Sequence, residues 1–158
     1  MKALTCAFDS MSLPFVTQLY TSTSASDYID SETWVKTFGT LPLLEWVYLE
    51  SSALHLFLEA LVYKTEAAEN SITAYCNVSF PKLRSIYLHS ADFSVAFVDT
   101  LLDCLMERCD RNAEVQELHL DGSCNVTPDE VERLKEIVVD VIWDGPEKEG
   151  SAHMMETP

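Results

Sequence analysis

Positive charge is scarce in this chain: 10 Lys and Arg stand against 26 Asp and Glu, a formal net charge of −16. Such a surface repels phosphate backbones and anionic headgroups, so no nucleic acid and no membrane is expected as a partner. A protein with a basic surface is. Glycine is scarce too. The four glycines (Gly39, Gly122, Gly145 and Gly150) form neither G-x-G-x-x-G nor a P-loop, the turns that nucleotide-binding α/β sheets use to cradle phosphate. No apolar run approaches the roughly 18 residues needed to span a bilayer. Met1-Lys2 leads into a stretch already broken by Asp9, so no secretory leader is expected. The cysteines (Cys6, Cys76, Cys104, Cys109, Cys124) are odd in number and contain no C-x-x-C pair, which suits reduced thiols better than a disulfide framework. The expected location is cytoplasmic or nuclear, and the sequons at Asn77 and Asn125 are read as accidental.

What is present is a repeat. Leu13-Pro14-Phe15-Val16-Thr17-Gln18-Leu19-Tyr20-Thr21, Leu41-Pro42-Leu43-Leu44-Glu45-Trp46-Val47-Tyr48-Leu49 and Phe80-Pro81-Lys82-Leu83-Arg84-Ser85-Ile86-Tyr87-Leu88 superimpose without gaps. A fourth copy, Val115 to Leu120, lacks the Pro, and a fifth and weaker one runs from Val138 to Trp143. Counted on Val16, Leu44, Leu83, Val115 and Val138, the intervals are 28, 39, 32 and 23 residues. Each copy carries the alternation of a strand with one buried face. The uneven intervals place the length variation in the returning segments.

Between the strands the apolar period turns helical. Over 92–109 it falls on Phe97, Val98, Leu101, Leu102, Leu105, Met106 and Cys109; over 53–63 on Leu54, Phe57, Leu58, Leu61 and Val62, after Ser51-Ser52 as caps. Thr127-Pro128-Asp129-Glu130 has the form of a capping box with Pro at the first helical position, and Val131, Leu134 and Val138 supply the inner face. A short helix over 31–38 uses Trp34, Val35 and Phe38, with Gly39 available to end it. Residues 65–69 extend the second helix, and 70–79 form an excursion.

Strand then helix, repeated, predicts an α/β fold: an irregular leucine-rich-repeat-like β/α solenoid of about four to five repeats over 1–145, with a parallel sheet on one side and helices on the other. Residues 146–158 read as a mobile polar tail. A helical run (Leu4, Ala7, Phe8, Met11) precedes the first strand without a capping element, so the chain is expected to be part of a larger architecture.

The segment from Leu118 to Val131 resembles the cysteine-containing leucine-rich repeat, in which L-x-L is followed by Cys or Asn, an apolar residue, Thr and a helix cap. Through Val139-Asp140-Val141-Ile142-Trp143-Asp144-Gly145 the chain looks like the closing repeat of fungal F-box-like leucine-rich-repeat proteins. The resemblance is best over 80–145. It departs at the thiol, which is Cys124, with Ser123 in the preceding place. No F-box is found. The resemblance implies substrate choice for ubiquitination, with a Skp-type adaptor as partner only if an F-box is present in the full gene product. A stand-alone scaffold, or a truncated piece without function, stays open.

In this register three columns face the open side of the sheet. The central one reads Tyr20, Tyr48, Tyr87, His119, Ile142; the flanks read Gln18, Trp46, Ser85, Glu117, Asp140 and Ser22, Glu50, His89, Asp121, Asp144. Strands about 4.8 Å apart make each column a ladder. Tyr20, Trp46, Tyr48, Glu50, Tyr87, His89, His119 and Asp121 are therefore the candidate partner-binding residues, since Tyr and Trp supply contact area at low entropic cost. The alternative is that Tyr simply suits a strand. His89, His119, Asp121 and Cys124 lie near one another in the repeat, but no ligand pair has zinc spacing, so no metal, cofactor or catalytic residue is expected. His55 and His153 read as surface residues, and Cys104 and Cys109 as packing groups on or beside the apolar helix face.

Overall fold

The computed structural model describes residues 15–21, 29–50, 54–62, 78–93 and 97–145. Among these, β1 (Gln18–Thr21), β2 (Trp46–Glu50), β3 (Ser85–His89), β4 (Glu117–Asp121) and β5 (Asp140–Trp143) form one parallel sheet in which spatial order equals chain order. The helical crossovers are α1 (Ser31–Trp34), which runs on as a π-helical turn (Val35–Gly39), α2 (Leu54–Leu61), α3 (Phe97–Asp110) and α4 (Pro128–Lys135). Consecutive helices touch one another, α1 with α2, α2 with α3 and α3 with α4.

Alternation decides which face is covered. Val47 and Leu49, Ile86 and Leu88, and Leu118 and Leu120 point into the core with Leu44, Leu83 and Val115 from the strand entries. Helix residues Leu54, Phe57, Leu58, Leu61, Leu101, Leu105, Val131 and Leu134 close over them. Trp34, Phe38, Phe57 and Phe80 form an aromatic knot there, with successive ring centroids 5.3–5.6 Å apart.

The repeat recurs in the backbone. At each strand entry a carbonyl accepts from the next strand: Thr17 O from the Glu45 and Trp46 amides, Glu45 O from Arg84 and Ser85, Arg84 O from Gln116 and Glu117, and Gln116 O from Asp140. At the exits of β3, β4 and β5, Ser90, Gly122 and Gly145 hold equivalent places, and all three have positive φ (53°, 58° and 95°). Pro81 takes the second place of a turn closed by the Leu83 amide donating to Phe80 O (3.1 Å).

Several details differ from expectation. The helix read over 92–109 is described from Phe97; Asp92 instead pairs with Cys124 in a parallel bridge, prolonging the β3–β4 ladder. Met106 is exposed and Cys109 half-buried, while Arg108, on the same turn, is 1% exposed. Its guanidinium donates to Ser79 O (2.8 Å) and Phe80 O (3.0 Å), tying α3 to the turn that enters β3. Gly39 closes the π-helical turn without left-handed φ, and its carbonyl accepts from the Phe80 amide (2.8 Å). The capping box is as read: Thr127 Oγ1 accepts from the Glu130 amide, and Glu130 accepts from the Thr127 amide. Ser123 takes the buried place and Cys124 is half-buried. The readings that involve Leu4 to Met11, Ser22, Ser51-Ser52, residues 65–76, residues 146–158, Cys6, Cys76 and His153 lie outside the described residues.

Candidate functional site: the open face of the sheet

Strand geometry puts residues i and i+2 on one face, and the register then aligns them between strands. Tyr20 pairs with Tyr48, Tyr48 with Tyr87, Tyr87 with His119 and His119 with Ile142, so the central column is continuous. One flank is Gln18, Trp46, Ser85, Glu117 and Asp140. The other runs through Glu50, His89 and Asp121, and the Asp144 carboxylate reaches it by accepting from the Gly122 amide (2.9 Å). All eight candidate residues lie on this one face.

The rings do more than line up along columns. They stack in two rows, each made of one step along the central column and one diagonal step across columns. Trp46 stacks on Tyr87 (5.1 Å, 19°) and Tyr87 on His119 (3.8 Å, 15°). Tyr20 lies against Tyr48 (5.6 Å, 32°) and Tyr48 on His89 (6.1 Å, 23°). Each row ends in an imidazole held by a carboxylate. His119 Nε2 donates to Glu117 Oε1 (2.8 Å), whose other oxygen accepts from Ser85 Oγ (2.9 Å); His89 Nδ1 donates to Asp121 Oδ2 (2.9 Å). With the carboxylates as acceptors, the donating nitrogen and hence the tautomer of each ring is set. Neither the diagonal stacking nor the two pairs was read from the sequence. The i, i+2 spacing of Glu117 and His119 was the available signal.

The electrostatics follow from this packing. The His119 hydrogen bond, helped by that from Ser85, holds the Glu117 carboxyl below its ordinary value against a smaller opposing effect of burial. Burial, then the nearby Glu50 and Asp121, push the Tyr48 phenol up; burial and then Glu117 do the same for Tyr87. Both phenols therefore stay protonated. The face carries Glu50, Glu117, Asp121, Asp140 and Asp144, and no Lys or Arg among its described residues.

Exposure is graded. Tyr20 is 69% exposed and Ile142 52%, whereas Tyr48, Tyr87 and His119 are half-buried by their stacking neighbours. Two shallow recesses result. One, of about 240 Å³, lies between Tyr20, Trp46, Tyr48 and Tyr87; the other, of about 280 Å³, lies between His89, His119, Asp121, Ile142 and Asp144.

Of the described thiols, Cys104 and Cys109 lie on α3 and Cys124 follows β4. Cys104 is buried, with Sγ 3.6 Å from Leu58 O, and burial pushes its pKa up to about 11. His55 is exposed on α2. Among the described residues no three His, Cys, Asp or Glu side chains are placed to hold a metal ion. No helix among them is long and apolar enough to cross a membrane. No family model, curated protein or solved structure matches the chain.

Proposed function

We propose that this chain is a protein-recognition module, an irregular leucine-rich-repeat-like solenoid whose open sheet face reads a partner with a basic surface. The observation that carries this reading is the aromatic and imidazole ladder that the described residues leave open, in register over successive strands, with carboxylates and no Lys or Arg at its edges. A sheet face that packed against nothing in function would need no such apolar area; large aromatic patches rimmed by charge mark interaction sites. Support for the solenoid comes from the sequential strand order, the recurring carbonyl at each strand entry and the left-handed residue at the exits of β3, β4 and β5.

The resemblance of 118–131 to the cysteine-containing repeat extends the proposal to an intracellular, substrate-selecting part of an F-box-like ubiquitin-ligase subunit. Co-purification of a Skp-type adaptor with the full gene product is expected on that extension. Its absence would leave a scaffold without a ubiquitin link.

The test of the core reading is affinity purification from the native cell type, with the triple variant Tyr48→Ala, Tyr87→Ala, His119→Ala beside the wild type. A reproducible partner should be lost in the variant. Stability should fall by about 2–4 kcal/mol, the loss of four partly exposed ring contacts. A partner retained at full strength by a folded variant would sink the reading.

A further inference from the structure

We propose that the open face takes an extended, arginine-bearing segment of its partner, with guanidinium planes laid on the outer faces of Tyr20 and Trp46, the rings that end the two stacked rows. This rests on the face being a recognition surface and adds what it recognises. Charge gives the sign of the occupant: five carboxylates and no Lys or Arg stand on the described part of the face, in a chain of net charge −16. Ring geometry gives its shape. Trp46 and Tyr87 are 19° from parallel, Tyr87 and His119 15°, and Tyr48 and His89 23°. Rings aligned in this way cover each other's inner faces and leave the outer faces of Tyr20 and Trp46, both exposed, as flat platforms that a planar guanidinium matches by stacking. A methylated ammonium is roughly spherical, and is best held by rings that surround it from several directions. A bare Lys ammonium is compact and more strongly hydrated, so it gains less from a flat ring.

The two recesses set the spacing. The first is lined from β1 to β3 and the second from β2 to β5, and Tyr48 and Tyr87 belong to both, so the two adjoin. Three residues of a polyproline II segment advance about 9 Å and return to the same side of the helix. One cation then lies in the aromatic recess. The next meets Asp121 and Asp144 beside His89 and His119 in the second, where a carboxylate can take a guanidinium through two parallel hydrogen bonds.

The probes are fluorescein-labelled hexapeptides containing Arg-Pro-Pro-Arg, Lys-Pro-Pro-Lys, or the first with citrulline for arginine, titrated against the whole chain by anisotropy. Arg and Lys carry the same charge, so their difference removes the general attraction of an acidic surface. The arginine peptide should bind at least about fivefold more tightly than the lysine peptide, and the uncharged citrulline peptide should not bind measurably. In a ¹⁵N spectrum the Trp46 indole resonance should move on addition of the arginine peptide, with the Trp34 indole, buried in the core, unmoved. Tyr20→Ala, at the most exposed ring, should weaken arginine binding at least about threefold with only a slight fall in urea midpoint, and Trp46→Leu should abolish the preference over lysine. Equal affinity for the arginine and lysine peptides would overturn the proposal, leaving diffuse electrostatic attraction. No binding of the arginine peptide would overturn it as well. Recognition by the face would then be judged separately, by whether the triple variant still loses its cellular partner.

Discussion

Replacing Arg108 by Ala is expected to cost about 3–4 kcal/mol of folding stability, and replacing it by Met only about 1–2 kcal/mol. The guanidinium is sealed under α3 and donates to the carbonyls of Ser79 and Phe80 at 2.8 and 3.0 Å. Two hydrogen bonds from a charged donor contribute roughly 1.5–3 kcal/mol each. Against them stands the cost of holding a cation out of water, several kcal/mol, the same burial that lowers the guanidinium pKa to about 10. These nearly offset, so the outcome depends on what a substitution leaves behind. Removing the donor strips the Ser79 carbonyl of its partner, a loss of about 1–3 kcal/mol, while the Phe80 carbonyl keeps the Leu83 amide. Met retains an unbranched chain in the space; Ala empties it and adds about 2 kcal/mol for the cavity. Urea unfolding followed by circular dichroism measures both, with equal slopes required so that midpoints report stability. An Ala variant within 1 kcal/mol of wild type would mean that water satisfies the carbonyls (a threshold of about one ordinary hydrogen bond). A Met variant more stable than wild type would mean that the burial cost exceeds the bonds. Either result refutes the reasoning.

Ser90 holds the left-handed place that Gly122 and Gly145 hold in the next two strands, so Ser90→Gly should stabilise the chain by up to about 1 kcal/mol in the same urea assay. The reverse exchange, Gly122→Ala, should cost about 1–2 kcal/mol, because φ is 58° and space for the methyl group is already adequate. Glu117 has a lowered pKa in the folded chain, so its contribution is present above its ordinary value of 4.5 and is lost as pH falls through the folded value. Urea midpoints between pH 3 and 7 should therefore fall less steeply towards acid in Glu117→Gln than in wild type. Cys104, buried and with its thiol pKa raised to about 11, should be alkylated by iodoacetamide far more slowly than Cys109 or Cys124, as mass spectrometry of timed digests would show.

The sheet was legible because its signal is local and repeated. Tyr20, Tyr48 and Tyr87 stand in one register with apolar neighbours on alternate positions, and a parallel sheet that follows chain order turns such a register directly into a column. The capping box at Thr127 was legible for the same reason, since both partners lie within four residues. What escaped depended on contacts distant in sequence or on a choice between similar residues. Met106 and Arg108 both lie near the edge of the apolar stripe of α3. Hydropathy favours burying Met106, but the carbonyls of Ser79 and Phe80 sit opposite Arg108, and only the fold brings them there. Arg108 is nonetheless seven positions on from Leu101 and three from Leu105, both buried, and that spacing was the clue. The diagonal steps on the open face were missed because columns follow from register, whereas the lean of one ring towards a neighbour two positions along depends on rotamers.

The strand entries repeat at intervals from 23 to 39 residues, yet the strands they lead into stay in step. The sheet thus behaves as a ruler whose marks are fixed by backbone pairing and are indifferent to how much chain is wound between them. Length can be added or removed in a return segment without moving any ring on the open face relative to its neighbours. Conversely, a single residue inserted between Ser85 and Ile86 would throw Tyr87 and His89 to the core side and bring Leu88 out. Evolution or an engineer can edit the back of such a molecule freely, while its front tolerates substitution but not a change of count.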